Sequence, residues 1–240
     1  MNALKIKLKI KLEPSGFTIV ELLIATLVFA LMIVVMTASI LGITNDFFKG
    51  TTTADTQNTA RNIVNDITEA VQYNAGGVLP VTTAADGTQG YCIGNDTLYS
   101  YLLGYEVNTN LSNANTSWTV LQSPHGLVES QNTQCSNPAT TNLKAQTLTT
   151  TAGLASGSKE LLSNNMRLLS FGITPVGTCG FSLGQSCLYK ISIAVIAGNT
   201  AQLTPTPPPL PNSNTVCNLG NGSEFCAWEQ LTTIVQKRVQ

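Results

Sequence analysis

From Leu22 to Ile43 the chain is an unbroken run of uncharged, mostly apolar residues. A helix of that length, at about 1.5 Å per residue, spans roughly the 30 Å hydrocarbon core of a bilayer. Four lysines, Lys5, Lys7, Lys9 and Lys11, stand ahead of the run, and one carboxylate, Glu21, stands at its edge. A secretory signal peptide has an apolar core of about 7–15 residues followed by a small-residue cleavage site. Here the apolar run is longer and the small residue, Gly16, precedes it, so a membrane anchor is expected. Lysines at its N-terminal end favour a cytoplasmic leader and export of the C-terminal bulk.

Beyond the run the periodicity changes twice. Asn45-Asp46-Phe47-Phe48-Lys49-Gly50 sets polar groups beside two aromatics, the composition of a membrane–water interface. Gly50 and the three threonines after it weaken or kink a continuing helix. Ala60, Ile63, Val64, Ile67, Ala70 and Val71 then recur at three- and four-residue steps, while Arg61, Asn62, Asn65, Asp66 and Glu69 take the opposite side. This predicts an amphipathic helix with one face for a core, ended by Asn74-Ala75-Gly76-Gly77. Asp66 and Glu69, one turn apart, read as a solvated face rather than a catalytic or calcium pair.

Strand patterns follow. Thr97–Val107 is rich in Tyr and Leu, and Trp118–Leu121, Leu127–Ser130 and Met166–Pro175 are further candidates. The clearest is Cys187–Ala197, where Tyr189, Ile191, Ile193 and Val195 alternate with Lys190, Ser192 and Ala194. Trp228–Val239 predicts a terminal strand with Leu231, Thr233, Val235 and Lys237 on one parity, its charges blunting a sheet edge. Val78–Gly90, the polar run 108–117, the Thr- and Asn-rich stretch 132–157 and the turn 177–185 read as connections; the proline-rich 202–211 reads as an extended surface loop. One long helix followed by strands predicts an α+β fold, the helix laid on a mainly antiparallel sheet.

At Gly16-Phe17-Thr18-Ile19-Val20-Glu21 the chain resembles the class III signal of type IV pilins and of the related pseudopilins of type II secretion and DNA uptake. That pattern is a short basic leader ending in Gly, then Phe, Thr-Leu-x-Glu-like residues and about twenty apolar ones. The match holds at Gly16, Phe17, Thr18 and Glu21, with Ile19 where Leu is commonest, and covers about the first fifth of the chain. The resemblance implies a leader 1–16, a membrane and filament-core helix 17–44, its amphipathic continuation 45–74 and an exported β-rich head 75–240. It implies cleavage between Gly16 and Phe17 by a prepilin peptidase, N-methylation of Phe17, and pairing of Glu21 with a Phe17 amine, its own or a neighbour's, during assembly. Implied partners are other pilin subunits, the peptidase, an inner-membrane assembly platform and membrane lipid. The implied place is the inner membrane, with the head outside the cytoplasm and a cell-surface or periplasmic filament after assembly. The irregular polar head favours a minor subunit over the bulk one. An anchored exported binding protein that never polymerises is the alternative.

Composition agrees with an exported domain. Only 10% of the 240 residues are charged. Without residues 1–16, which hold four lysines and Glu13, eight basic and twelve acidic side chains remain, a net of −4. That balance speaks against direct nucleic-acid binding by a general basic surface. Six cysteines, Cys92, Cys135, Cys179, Cys187, Cys217 and Cys226, all follow the apolar run, which points to disulfides. Short separations favour Cys179–Cys187 and Cys217–Cys226, leaving Cys92–Cys135. No C-x-x-C pair occurs and His125 is the single histidine, so no zinc site or other cofactor is expected. Ser123-Pro124-His125 lacks the G-x-S-x-G setting of a nucleophile, and the chain is read as a non-enzyme.

Overall fold

The fold begins at a capped helix start. Thr18 precedes α1, a single α-helix over Ile19–Tyr73. The computed structural model describes residues 16–74, 76–81, 87–94, 96–107, 122–123, 125–131, 157–177, 187–198, 202–204, 215–218 and 223–238. The chain divides into two compact units between Asn45 and Asp46.

In the first unit, large apolar side chains are exposed on every side of α1, from Ile19 through Leu27, Leu31 and Val35 to Ile43. A soluble helix hides one such face; this segment hides none. It is long and apolar enough to cross a membrane. Its few hydroxyls are spent inside the helix: Thr37, Ser39 and Thr44 each donate to the carbonyl four residues back. Such back-bonding removes the need for water that a bare hydroxyl would have in hydrocarbon.

In the second unit α1 continues without a break at Gly50. The expected weak point is bridged by hydroxyl bonds from Thr51 to the Phe48 carbonyl, Thr52 to the Phe48 carbonyl and Thr53 to the Lys49 carbonyl. Further on, Ala60, Ile63, Val64, Ile67 and Val71 are buried, the face that the three- and four-residue spacing picks out.

Among the described residues twelve strands follow: β1 Val78–Val81, β2 Gln89–Ile93, β3 Thr97–Tyr101, β4 Glu106–Val107, β5 Gln122–Ser123, β6 Leu127–Ser130, β7 Ser158–Glu160, β8 Met166–Val176, β9 Leu188–Ala197, β10 Leu203–Thr204, β11 Val216–Cys217 and β12 Ala227–Gln236. They form two five-stranded sheets, β1-β2-β3-β6-β7 and β12-β9-β8-β4-β5, and the two-stranded β10-β11. Among the described strands only β4 and β5 pair in parallel. The class is α+β, with the buried face of α1 packed against antiparallel sheets.

Two sheets, where one was expected, arise from a break inside the Tyr- and Leu-rich stretch. Thr97–Val107 is two strands, not one. Gly104, at φ 80°, turns the chain between them, a left-handed conformation that a side chain would oppose. β3 stays in the first sheet and β4 enters the second. Val78–Gly90 also differs from expectation: β1 and the start of β2 pair here, despite Pro80. β1 is the sheet's terminal strand, where a missing N–H is tolerated.

The core lies between α1 and the sheets. Tyr189, Ile191, Ile193 and Val195 of β9 are buried, as their alternation predicts. In β8 a bulge between Leu168 and Ser170 inserts one residue, so Leu168 and Phe171 share the main core while Leu169 joins a smaller cluster with Ala194, Ile196, Leu203 and Cys226. Tyr91, Tyr101 and Phe171 join the two sheets: Phe171 meets the Tyr101 ring edge-on at 5.0 Å and the Tyr91 ring at 5.6 Å. On β12, Val235 is buried and Leu231 packs against the core. The charges after β12 do more than blunt an edge. Lys237 Nζ donates to the Gly76 carbonyl and Arg238 lies 5.2 Å over the Tyr73 ring, tying the last strand to the end of α1. Trp118–Leu121, residues 178–185 and most of the proline-rich loop lie outside the described residues.

Candidate functional site

The residues that carry the pilin resemblance meet at the start of α1. Thr18 is the N-cap and Glu21 the third helical residue. The Glu21 carboxylate accepts the Thr18 N–H and the Thr18 hydroxyl, each at 2.9 Å, and the Glu21 N–H donates to Thr18 Oγ1 at 3.3 Å. This is a capping box: two helix-end donors are satisfied reciprocally. Thr18-x-x-Glu21 ahead of an apolar run is its sequence signature, so this role was legible without a structure, yet the only role expected of Glu21 was pairing with a Phe17 amine.

Gly16 and Phe17 precede the cap, and Phe17 is 81% exposed. Among the described residues nothing stands within 4 Å of where a Gly16 side chain would begin. Gly42 is equally uncrowded on the apolar helix, where a small residue lets another helix approach closely.

The cysteines divide. Cys217 and Cys226 form a disulfide across a separation of nine residues, closing the segment that carries the short 3-10 helix Ser223–Phe225. Cys92 is also disulfide-bonded. Cys187 is a buried free thiol, which corrects the expected Cys179–Cys187 bridge. Its backbone explains the placement: the Cys187 carbonyl accepts the Lys237 N–H beside β12, and its side chain belongs to the main core. Cys135 and Cys179 lie outside the described residues.

The acidic pair is a solvated face only in part: Glu69 is exposed, whereas Asp66 is half-buried. Asp66 lies 4.0 Å from Lys159, and Glu129 of β6 is buried nearby. Burial first, then the Glu129 charge, raises the Asp66 pKa above its usual range; Lys159 opposes this. The Tyr99 hydroxyl is pushed up as well, by burial and then by Asp66, Glu129 and Glu69. A raised acid pKa means that stability is fully present below the ordinary aspartate range and is lost as pH rises through the folded value. Asp66→Asn is therefore expected to raise the melting temperature at pH 7 by about 1–2 °C, equivalent to roughly 0.5 kcal/mol. The exposed Lys159 contact it gives up is worth little. The two proteins should converge on acidification; a gap that widens would refute this account. Thermal melts at stepped pH measure it.

His125 is buried, with Nδ1 3.5 Å from Glu160 Oε2. The Glu160 carboxylate also accepts the N–H groups of Gly126, Leu127 and Leu162 at 2.9–3.0 Å. It thus pins the turn into β6, and a side chain at Gly126 would collide with Leu162 and Val107. These contacts fit a structural knot better than an open catalytic histidine. Among the described residues no three His, Cys, Asp or Glu side chains are grouped to hold a metal.

No family model, no curated protein and no solved structure matches the chain. What the geometry defines is a class: an α+β protein whose first helix can serve as a single membrane span.

Proposed function

We propose that the chain is a minor pilin or pseudopilin, a non-enzymatic subunit that assembles into a type IV pilus-like filament through its N-terminal helix. The observation that carries this is the setting of Gly16-Phe17-Thr18-Ile19-Val20-Glu21: an exposed Gly-Phe bond directly before a helix with apolar side chains on every face. A peptidase can reach such a bond, and no described residue crowds Gly16, which agrees with recognition from outside. In a bilayer the helix is solvated by lipid. In a filament the same faces pack against other copies, with Gly42 allowing close approach. Glu21 then loses water and needs a cation, which the amine freed at Phe17 supplies. The role of the filament in adhesion, motility, secretion or DNA uptake follows from the machine that assembles it.

The test is the intact mass and N-terminal sequence of the protein from its native membrane and from sheared surface material. The expected chain begins at Phe17 and carries one added methyl group. A chain that still begins at Met1, in cells with an active prepilin peptidase, overturns the proposal and leaves an anchored protein that does not polymerise.

A further inference from the structure

Three exposed phenylalanines gather where the span ends. Phe47 is 65% exposed, Phe48 39% and Phe225 42%. The Phe48 ring lies 6.2 Å from Phe47 and 5.1 Å from Phe225. Phe47 and Phe48 belong to α1, whereas Phe225 comes from the far end of the chain. It is presented by the 3-10 helix inside the loop that Cys217–Cys226 closes. Exposed apolar side chains gathered in this way mark a surface that something covers.

Chain continuity identifies the cover. Phe48 is five residues past Ile43, the last residue of the uncharged run, and α1 is helical throughout. At about 1.5 Å per residue the rise is roughly 7.5 Å. The headgroup layer on each side of the hydrocarbon is about 5–8 Å thick. Phe48 therefore falls at its depth, and Phe225, in ring contact with Phe48, falls there too. Asp46, Lys49 and Glu224 beside the rings are side chains that a hydrated headgroup layer accommodates and hydrocarbon does not.

We propose that Phe47, Phe48 and Phe225 form a lipid-docking face, by which the disulfide-closed loop of the membrane-resident subunit rests in the headgroup layer. It rests on the span reading, not on polymerisation. The disulfide loop holds Phe225 against Phe48, so the docking face forms as the head folds and is in place before any partner is met.

Full-length protein reconstituted in phosphatidylcholine vesicles tests this. In a Trp118→Phe, Trp228→Phe background, a single tryptophan is introduced by Phe225→Trp, by Phe48→Trp or, as a control, by Val35→Trp. Nitroxide lipids labelled at the headgroup or at the chain end, and aqueous acrylamide, serve as quenchers. The Val35→Trp probe should be quenched by the chain-end label. Both Phe probes should be quenched at least about twofold more by the headgroup label than by the chain-end label. If the control is quenched but the Phe225→Trp probe responds only to acrylamide, lipid docking is refuted and the span stands. Shielding of that probe from both lipid label and acrylamide would place a second protein surface there and equally refute it. A control that ignores the chain-end label removes the span reading, and the docking face with it. Should Phe225→Trp fail to fold, Phe48→Trp decides between the same outcomes by the same quenching ratio.

Discussion

Replacing Arg167 with methionine is expected to destabilise the folded head by about 3–5 kcal/mol at pH 7, enough to unfold much of it. Arg167 is fully buried on β8, bonds Glu106 Oε2 and donates to the Gly104 carbonyl at 3.3 Å. Glu106 is buried as well and sits opposite Arg167 in the β4–β8 pairing. Burial raises the Glu106 pKa, with the Arg167 charge as the opposing cause; burial also lowers that of Arg167. Both directions say that desolvation outweighs mutual attraction. The pair thus adds little net stability, yet removing one member leaves the other charge stranded. Arg167→Met should recover part of its loss on acidification, as Glu106 takes up a proton. The double variant Arg167→Met, Glu106→Leu should return to within about 1–2 kcal/mol of wild type, or exceed it. Urea titrations of the three proteins separate these outcomes. A double variant as unstable as the single one would show that Arg167 acts through packing and its bond to Gly104, not through charge.

This pair also shows where sequence reasoning stops. Helix periodicity over 60–71 and strand alternation over 189–195 were legible, because each element buries one face and its period survives in the sequence. Glu106 and Arg167 lie sixty-one residues apart, and no local pattern announces that two charges will share a core. The division into two sheets was equally hidden. It turns on Gly104 at positive φ within a stretch whose composition reads as one strand. Cys187 misled for a related reason: proximity in sequence favoured a bridge to Cys179, but the end of β9 places its side chain in the core. Where the sequence did speak, at Thr18-x-x-Glu21, two local explanations overlap on one carboxylate.

Those two explanations can be separated, because a cap needs an acceptor and an ion pair needs a charge. Glutamine at the third helical position still closes a capping box, whereas valine cannot. If Glu21 serves only α1, Glu21→Gln should behave as wild type and Glu21→Val should fray the helix start, with no consequence for assembly. If Glu21 pairs with a Phe17 amine in a packed, water-poor filament core, both variants leave that amine unmatched. A stranded buried charge costs about 3–5 kcal/mol, so each subunit addition should weaken by roughly a hundredfold or more. The expected outcome is that both variants insert in the membrane and are processed at Gly16–Phe17, yet neither yields sheared filaments. Immunoblots of surface and membrane fractions from the same cells measure this. Wild-type filament yield from Glu21→Gln would refute charge pairing and leave the capping box as the whole role of Glu21. The loss of filaments in Glu21→Gln, with its helix start intact, would assign the carboxylate's negative charge to assembly.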